Sequence, residues 1–194
     1  MHKAIIVGGG GHARVIASMV RGEVEFLTTT PATEDELLRR CASRGGVEVY
    51  VGIGRNVDRE RITNTLRGLG ARLPACVAAA AFVARDAEIA DGTVLCPGSV
   101  IGAKAMVGFA CIVNTLSSVD HDCRLGDYTQ VTAGVTLGGG VRIGTGCFLG
   151  VKSAVIPGTT LGDDVIVMAG ALVTKDVPAS VMVGGAPARI VRQL

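Results

Sequence analysis

A chain of 194 residues with 19 Lys and Arg against 17 Asp and Glu carries a net charge of +2, which gives no electrostatic case for nucleic acid or an anionic membrane as the main partner. Apolar residues make up 48% of the chain and aromatics only 3%, with 28 glycines; this suits short strands and tight turns better than a helical bundle or a disordered chain. No apolar run approaches the roughly 20 residues of a membrane helix. The six cysteines form no CxxC pair, and the start of the chain lacks the basic, apolar and cleavage regions of a signal peptide. The expected setting is therefore the cytoplasm, with reduced thiols and no membrane insertion.

In chain order, Ala4 to Val7 reads as a short buried strand. Gly8-Gly9-Gly10-Gly11-His12-Ala13 follows, and then an apolar-periodic helix from Ala13 to Val20. Val24 to Leu27 is a second strand, Glu34 to Ser43 a helix, Val47 to Ile53 a third strand and Asn56 to Leu69 another helix. The alternation predicts a small α/β, Rossmann-like unit over residues 1–74, with a second domain over 75–194. The glycines allow backbone N–H groups to approach an anion at a helix N-terminus, or serve only a tight strand-to-helix turn. A full dinucleotide fold fits poorly, because the unit has about three strands and Thr28-Thr29-Thr30 stands where an acidic residue would hold a ribose. A mononucleotide or nucleotide-sugar fits better than NAD.

From Val83 to Val173 an aliphatic residue recurs at every sixth position without a slip. Four residues after nearly every one of these comes a small or β-branched residue, from Ala87 to Ala171. A helix repeats at three to four and a lone strand at two, so a strict period of six belongs to short strands joined by turns, three to a triangular coil of 18 residues: a hexapeptide-repeat parallel β-helix. Cys111, Cys123 and Cys147 fall on the small inward position, where a thiol is core filler rather than a nucleophile. Read in columns 18 apart, Val94, Ile112, Gln130, Phe148 and Ile166 form an outward stripe that is apolar but for Gln130, a candidate surface for other copies of the chain.

Of the three histidines only His121 lies in the repeat, at an outward turn position with Ala103 and Gly139 in its column. Small residues above and below leave a slot beside the imidazole. It is either a solvated surface residue or a base that takes a proton from an attacking amine or hydroxyl, with Asp122 orienting it and raising its basicity.

With the repeat and His121 in place, the chain resembles the hexapeptide-repeat sugar acetyltransferases of the NeuD/PglD type over nearly its whole length. The likeness rests on Ile6-Val7-Gly8-Gly9-Gly10-Gly11-His12-Ala13, on Gly52-Ile53-Gly54-Arg55-Asn56 with Arg59, on Asn114-Thr115 leading to Asp120-His121-Asp122-Cys123-Arg124-Leu125-Gly126, and on Gly184-Gly185-Ala186-Pro187-Ala188-Arg189. The resemblance implies that the β-helix is left-handed, and it implies a homotrimer with acetyl-CoA in the groove between adjacent β-helices; no metal requirement is visible in the sequence. It makes His121 the general base and Asp122 the acid that tunes it. Gln130, Gly139, Val151 and Ala169 become acetyl-CoA contacts, with the Gly139 N–H as oxyanion donor. Gly10, Gly11, His12, Thr28, Thr29, Gly52 and Ile53 become contacts to a nucleotide-linked amino sugar, and Asn114 faces the sugar near the reacting group. Two positions depart from the family: Gln130 stands where a second histidine is common, and Thr28-Thr29-Thr30 replaces an acidic pair.

Gln130 lies nine residues from His121, half a coil away, so one thioester touching both implies an intersubunit site. The leading expectation is acetyl transfer from acetyl-CoA to the amine of a nucleotide-linked amino sugar. The alternatives are O-acetylation of a sugar hydroxyl, as on sialic acid, and a β-helical scaffold that only binds a nucleotide. A β-helical carbonic anhydrase is excluded, since its zinc needs three histidines and the repeat supplies one.

Overall fold

The computed structural model describes residues 3–28 and 33–194, and the chain divides into two compact units, Met1–Cys76 and Val77–Leu194. The first unit alternates β1 (Lys3–Val7), α1 (Gly11–Met19), β2 (Glu23–Leu27), α2 (Glu34–Ser43), β3 (Glu48–Val51) and α3 (Asn56–Gly68). Its three strands are parallel in the order β2-β1-β3. The central strand is an unbroken apolar run, Ala4 to Val7, no more than 1% exposed, as a parallel strand covered on both faces requires. Strand β3 ends sooner than its apolar run suggests. Gly52 leaves it to pack against α1, where an added Cβ would lie 2.6 Å from both Cα and Cβ of Ala13. Helix α1 in turn begins two residues before the apolar period does, directly after an extended Gly10.

The second unit is the parallel β-helix that the six-residue period predicts, with the left hand that the resemblance implies. Each aliphatic residue of the period sits on a two-residue strand, and from Leu95 to Val173 none is more than 4% exposed. Strands eighteen residues apart pair in parallel, as Ile112 with Gln130 and Ser118 with Thr136. Three faces result. Face 1 carries Val94, Ile112, Gln130, Phe148 and Ile166 on its outside; face 2 carries Val100, Ser118, Thr136, Ala154 and Leu172; face 3 carries Glu88, Met106, Arg124, Arg142 and Thr160. The chain ends in a hairpin of Val181–Gly185 and Ala188–Gln193 that extends face 1. Among the described residues no helix is long and apolar enough to cross a membrane.

The second inward position does more than fill space. Thr93 and Thr129 hydroxyls donate to the carbonyls of Gly108 (2.7 Å) and Gly144 (2.8 Å), and the thiols of Cys111, Cys123 and Cys147 donate to Gly126, Gly138 and Gly162 at 3.1–3.2 Å. Each bond runs to the corner fifteen residues on, so small donors tie successive corners together across the core. All six cysteines are buried free thiols. Burial pushes Cys147 up to about 12 and Cys96 to about 11, which leaves them protonated and inert.

The apolar stripe on face 1 needs one correction. Val94 and Ile112 are 2% and 0% exposed within the single chain, so only its later part, Phe148 at 37% with the half-buried Ile166, presents apolar surface. Leu137→Ala, which opens a cavity at the centre of the stack, should destabilise the second unit by about 2–5 kcal/mol. The exposed neighbour Thr136→Ala should stay within about 0.5 kcal/mol. Urea unfolding of the two variants beside wild type measures both.

Candidate active site

His121 stands at the corner between faces 2 and 3, where Asp120, His121, Asp122 and Cys123 link the strands Ser118–Val119 and Arg124–Leu125. Stacking places this corner against the coils before and after it: Asp122 N–H donates to Ala103 O (2.9 Å), and Gly140 N–H donates to His121 O (2.8 Å). The imidazole lies over Gly139, where an added Cβ would be 2.5 Å from both Cε1 and Nε2. Glycine is therefore required one coil on for the ring to occupy its place.

The ring nitrogens have different surroundings. His121 Nδ1 is 2.8 Å from Asp122 Oδ2, so a neutral ring with its proton on Nδ1 leaves Nε2 as a bare acceptor. Both side chains are more than half exposed. The hydrogen bond with Asp122, and after it the charge of Asp120, raise the His121 pKa above its ordinary value, while the same hydrogen bond holds Asp122 below the usual carboxylate range. Asp120 contributes a contact the sequence did not single out: its Oδ1 accepts the His121 backbone N–H at 2.7 Å.

The other β-helix residues fall into two places. Gly139 shares the His121 corner one coil later, and its N–H has no acceptor among the described residues. At the corresponding position of other corners, the N–H groups of Phe109 and Thr145 are taken by Asp127 and Asp163 from the next coil (2.8 and 2.7 Å); the coil after Gly139 offers Pro157. Asn114, Val151 and Ala169 lie on the corner between faces 1 and 2. Asn114 Oδ1 accepts the Thr115 N–H at 2.7 Å, which turns its amide N–H₂ outward as a donor. Gln130 projects from face 1, its Oε1 buried without a partner, and does not share the His121 corner.

In the first unit the glycine turn separates into two kinds of residue. Gly8, at φ 123°, has Gly52 O 2.9 Å from where a Cβ would be, and Gly9 has Thr28 Oγ1 at 2.9 Å. Those two are glycine for packing. Among the described residues Gly10 meets nothing within 4 Å and Gly11 only the tip of Arg14 at 4.0 Å, with φ ordinary for any residue, so no packing among those residues explains them. They open α1, which has no side-chain cap and no acidic residue in its first turn, leaving N–H groups for an anion. His12 Nε2 is buried without a hydrogen-bond partner among the described residues. Burial, and then the charge of Arg59, lower its pKa to about 4, so the ring is neutral. Arg59 is 1% exposed and ties the following turn together, donating to Gly54 O (3.0 Å), Asn56 Oδ1 (2.9 Å) and Ile53 O (3.4 Å). Thr28 is exposed, and Thr29 lies outside the described residues. Among the described residues no group of three or more His, Cys, Asp or Glu is placed to hold a metal ion.

Comparison with known proteins gives the class to which this β-helix belongs. The family model for the hexapeptide repeat of succinyl-transferase matches residues 140–175. Perosamine N-acetyltransferase from Caulobacter crescentus, solved as a histidine variant with CoA and GDP-perosamine, is 32% identical with a TM-score of 0.90, the match covering 100% of this chain and 98% of that one. The acetyltransferase domain of PglB from Neisseria gonorrhoeae, solved with acetyl coenzyme A, is 30% identical with a TM-score of 0.91 over 98% and 99% of the two chains. WeeI from Acinetobacter baumannii is 25% identical with a TM-score of 0.87 over 98% and 100%. A comparison with curated protein sequences finds no match. The chain belongs to the hexapeptide-repeat sugar acetyltransferases.

On the reading of His121 as a base, the ring must be neutral to accept a proton, so kcat/KM should fall as pH drops through its raised pKa. Asp122→Asn removes the largest cause of the elevation and should move that acid limb to lower pH, with a reduced plateau because the ring is less well oriented. A pH profile of the two enzymes checks both.

Proposed function

We propose that this enzyme transfers the acetyl group of acetyl-CoA to the amine of a nucleotide-linked amino sugar, with His121 as general base. The observation that carries the reading is the imidazole itself: Nδ1 is anchored on Asp122 at 2.8 Å, and Nε2 is bare beside Gly139. As the amine nitrogen bonds to the thioester carbon, Nε2 takes one of its protons, and Asp122 stabilises the imidazolium that forms. The C–S bond then breaks, the imidazolium returns the proton to sulfur, and CoA leaves as the thiol. The free Gly139 N–H suits the oxygen on which negative charge develops. No protein nucleophile is required, in keeping with six buried, protonated thiols. That two relatives were solved with CoA or acetyl-CoA, and one with GDP-perosamine, supports the same donor and acceptor class here.

We assign recognition of the nucleotide-sugar to the turn at Gly10, Gly11 and His12. Two glycines without a packing reason let a diphosphate reach the first-turn N–H groups, and the buried Nε2 of a neutral His12 supplies an acceptor for a ligand donor. Thr28 and Thr29, with Gly52 and Ile53 across the turn, complete the assignment, and Asn114 supplies an amide donor toward the sugar. Gln130, Val151 and Ala169 belong to the acyl-donor side. Gln130 on face 1 and His121 on the corner of faces 2 and 3 serve one thioester only if they come from different copies, so we assign a homotrimer whose contacts include Phe148.

Thiol release from acetyl-CoA, run against a panel of UDP- and GDP-linked amino sugars, tests the reaction. His121→Ala should lose about 10² to 10⁴ in rate, and a variant equal to wild type would remove the base from this account. Phe148→Glu places a charge on the accessible part of the apolar stripe and should shift the wild-type trimer toward monomer in light scattering, with loss of activity. A wild type that is monomeric and active would dispose of the intersubunit site.

A further inference from the structure

Fifteen first-corner positions recur at six-residue spacing from Ala84 to Met168, and at most of them the chain has Gly or Ala. Only at Asn114 and Asp120 does the side chain cap the next N–H, each at 2.7 Å. In its own column Asp120 stands among Ala84, Gly102, Gly138 and Ile156, so the stacking itself asks for no charge there. Its exposed carboxylate uses Oδ1 for the His121 N–H and has no partner for Oδ2 among the described residues. Gly102 in the preceding coil holds this peptide in place, since a Cβ there would be 2.6 Å from His121 N and 2.7 Å from Asp120 C. The base is thus flanked by two carboxylates. Asp122 is engaged at Nδ1, and Asp120 is fixed by the backbone of the base it adjoins.

An amine and a hydroxyl differ at such a site. An attacking amine carries at least two N–H bonds, so one proton can pass to Nε2 while another is offered to a carboxylate. A hydroxyl has one O–H, which Nε2 takes, and it then turns lone pairs toward negative charge. We propose that Asp120 is a specificity-determining residue of the transfer, holding a second negative charge against the base so that an amine is accepted over a hydroxyl. This rests on the reading of His121 as the general base. The charge of Asp120 also acts on His121 in the direction expected, raising its pKa. The other charged groups at this corner are Asp122 and, from the preceding coil, Lys104, whose charge acts on Asp122; the Gly139 and Gly140 coil brings none.

Asp120→Asn keeps an oxygen for the His121 N–H and removes the charge, whereas Asp120→Ala removes both. In the full enzyme with acetyl-CoA, kcat/KM is measured for a nucleotide-linked amino sugar and for its hydroxyl counterpart, and the His121 imidazole is titrated by NMR. Asp120→Asn should lower the amine-to-hydroxyl preference by about tenfold or more, chiefly through KM for the amine, and should lower the His121 titration midpoint. Asp120→Ala should in addition reduce kcat at every pH, because the corner is no longer tied. An unchanged preference with an unchanged titration in Asp120→Asn overturns the proposal. If His121→Ala retained full activity, the reading of the base would fail instead, and the titration would still decide whether the Asp120 charge reaches the ring.

Discussion

Hydrogen bonding between residues eighteen apart is the constraint from which the second unit takes its form. Parallel pairing at a spacing of about 4.8 Å stacks every side chain directly on its column neighbours, and the choice at one position is then limited by what stands one coil away. Gly139 shows how sharp that limit is. Its role in the chain is to be absent beyond Cα, because the His121 ring occupies the space its Cβ would take. Gly102 does the same for the peptide of Asp120 and His121 from the other side. The His121 corner therefore spans three coils, although only one of them carries the imidazole.

The same register decides which polar groups are left for ligands. Most corner N–H and C=O groups are consumed by the coil on either side, and the core threonines and cysteines tie further carbonyls from within. Where the next coil supplies an Asp, the outward N–H is closed as well, as at Phe109 and Thr145. Where it supplies Pro157, the Gly139 N–H stays open. A preformed donor next to a bare imidazole nitrogen thus comes from local sequence in two adjacent coils, with no loop that has to move into place.

Much of this was legible in the sequence. A period of six without a slip fixes the β-helix, the inward columns and the corner on which His121 sits, because a repeat fold reduces three dimensions to a residue count. What the count does not contain is side-chain reach. The six-residue period placed Val94 and Ile112 on the outside of face 1 correctly, yet both are buried, since covering depends on the whole chain and not on the column alone. It assigned the inward cysteines to the core without showing that their thiols donate to corner carbonyls, a detail that needs the offset of fifteen between side chain and acceptor. In the first unit, periodicity gave the order of elements but merged two kinds of glycine. Gly8 and Gly9 answer to Gly52 and Thr28 across the turn, while Gly10 and Gly11 meet no close neighbour among the described residues.

On the proposed reading a short fold holds a nucleotide-sugar. Three strands give no long crevice at a topological switch point, so affinity on that reading comes from a compact set of groups around one helix end. On that reading an uncapped α1 supplies N–H donors for the diphosphate, and His12, kept neutral by burial and by Arg59, adds a polar nitrogen without a positive charge. Arg59 is too deeply buried to meet a ligand directly. Its effect is to rigidify the turn after β3 and to keep His12 unprotonated, which places the buried cation in the role of setting the polarity of the acceptor site rather than forming its surface. The two histidines with proposed roles are thus shifted in opposite directions by their neighbours: burial and the Arg59 cation lower the pKa of His12, while Asp122 and Asp120 raise that of His121.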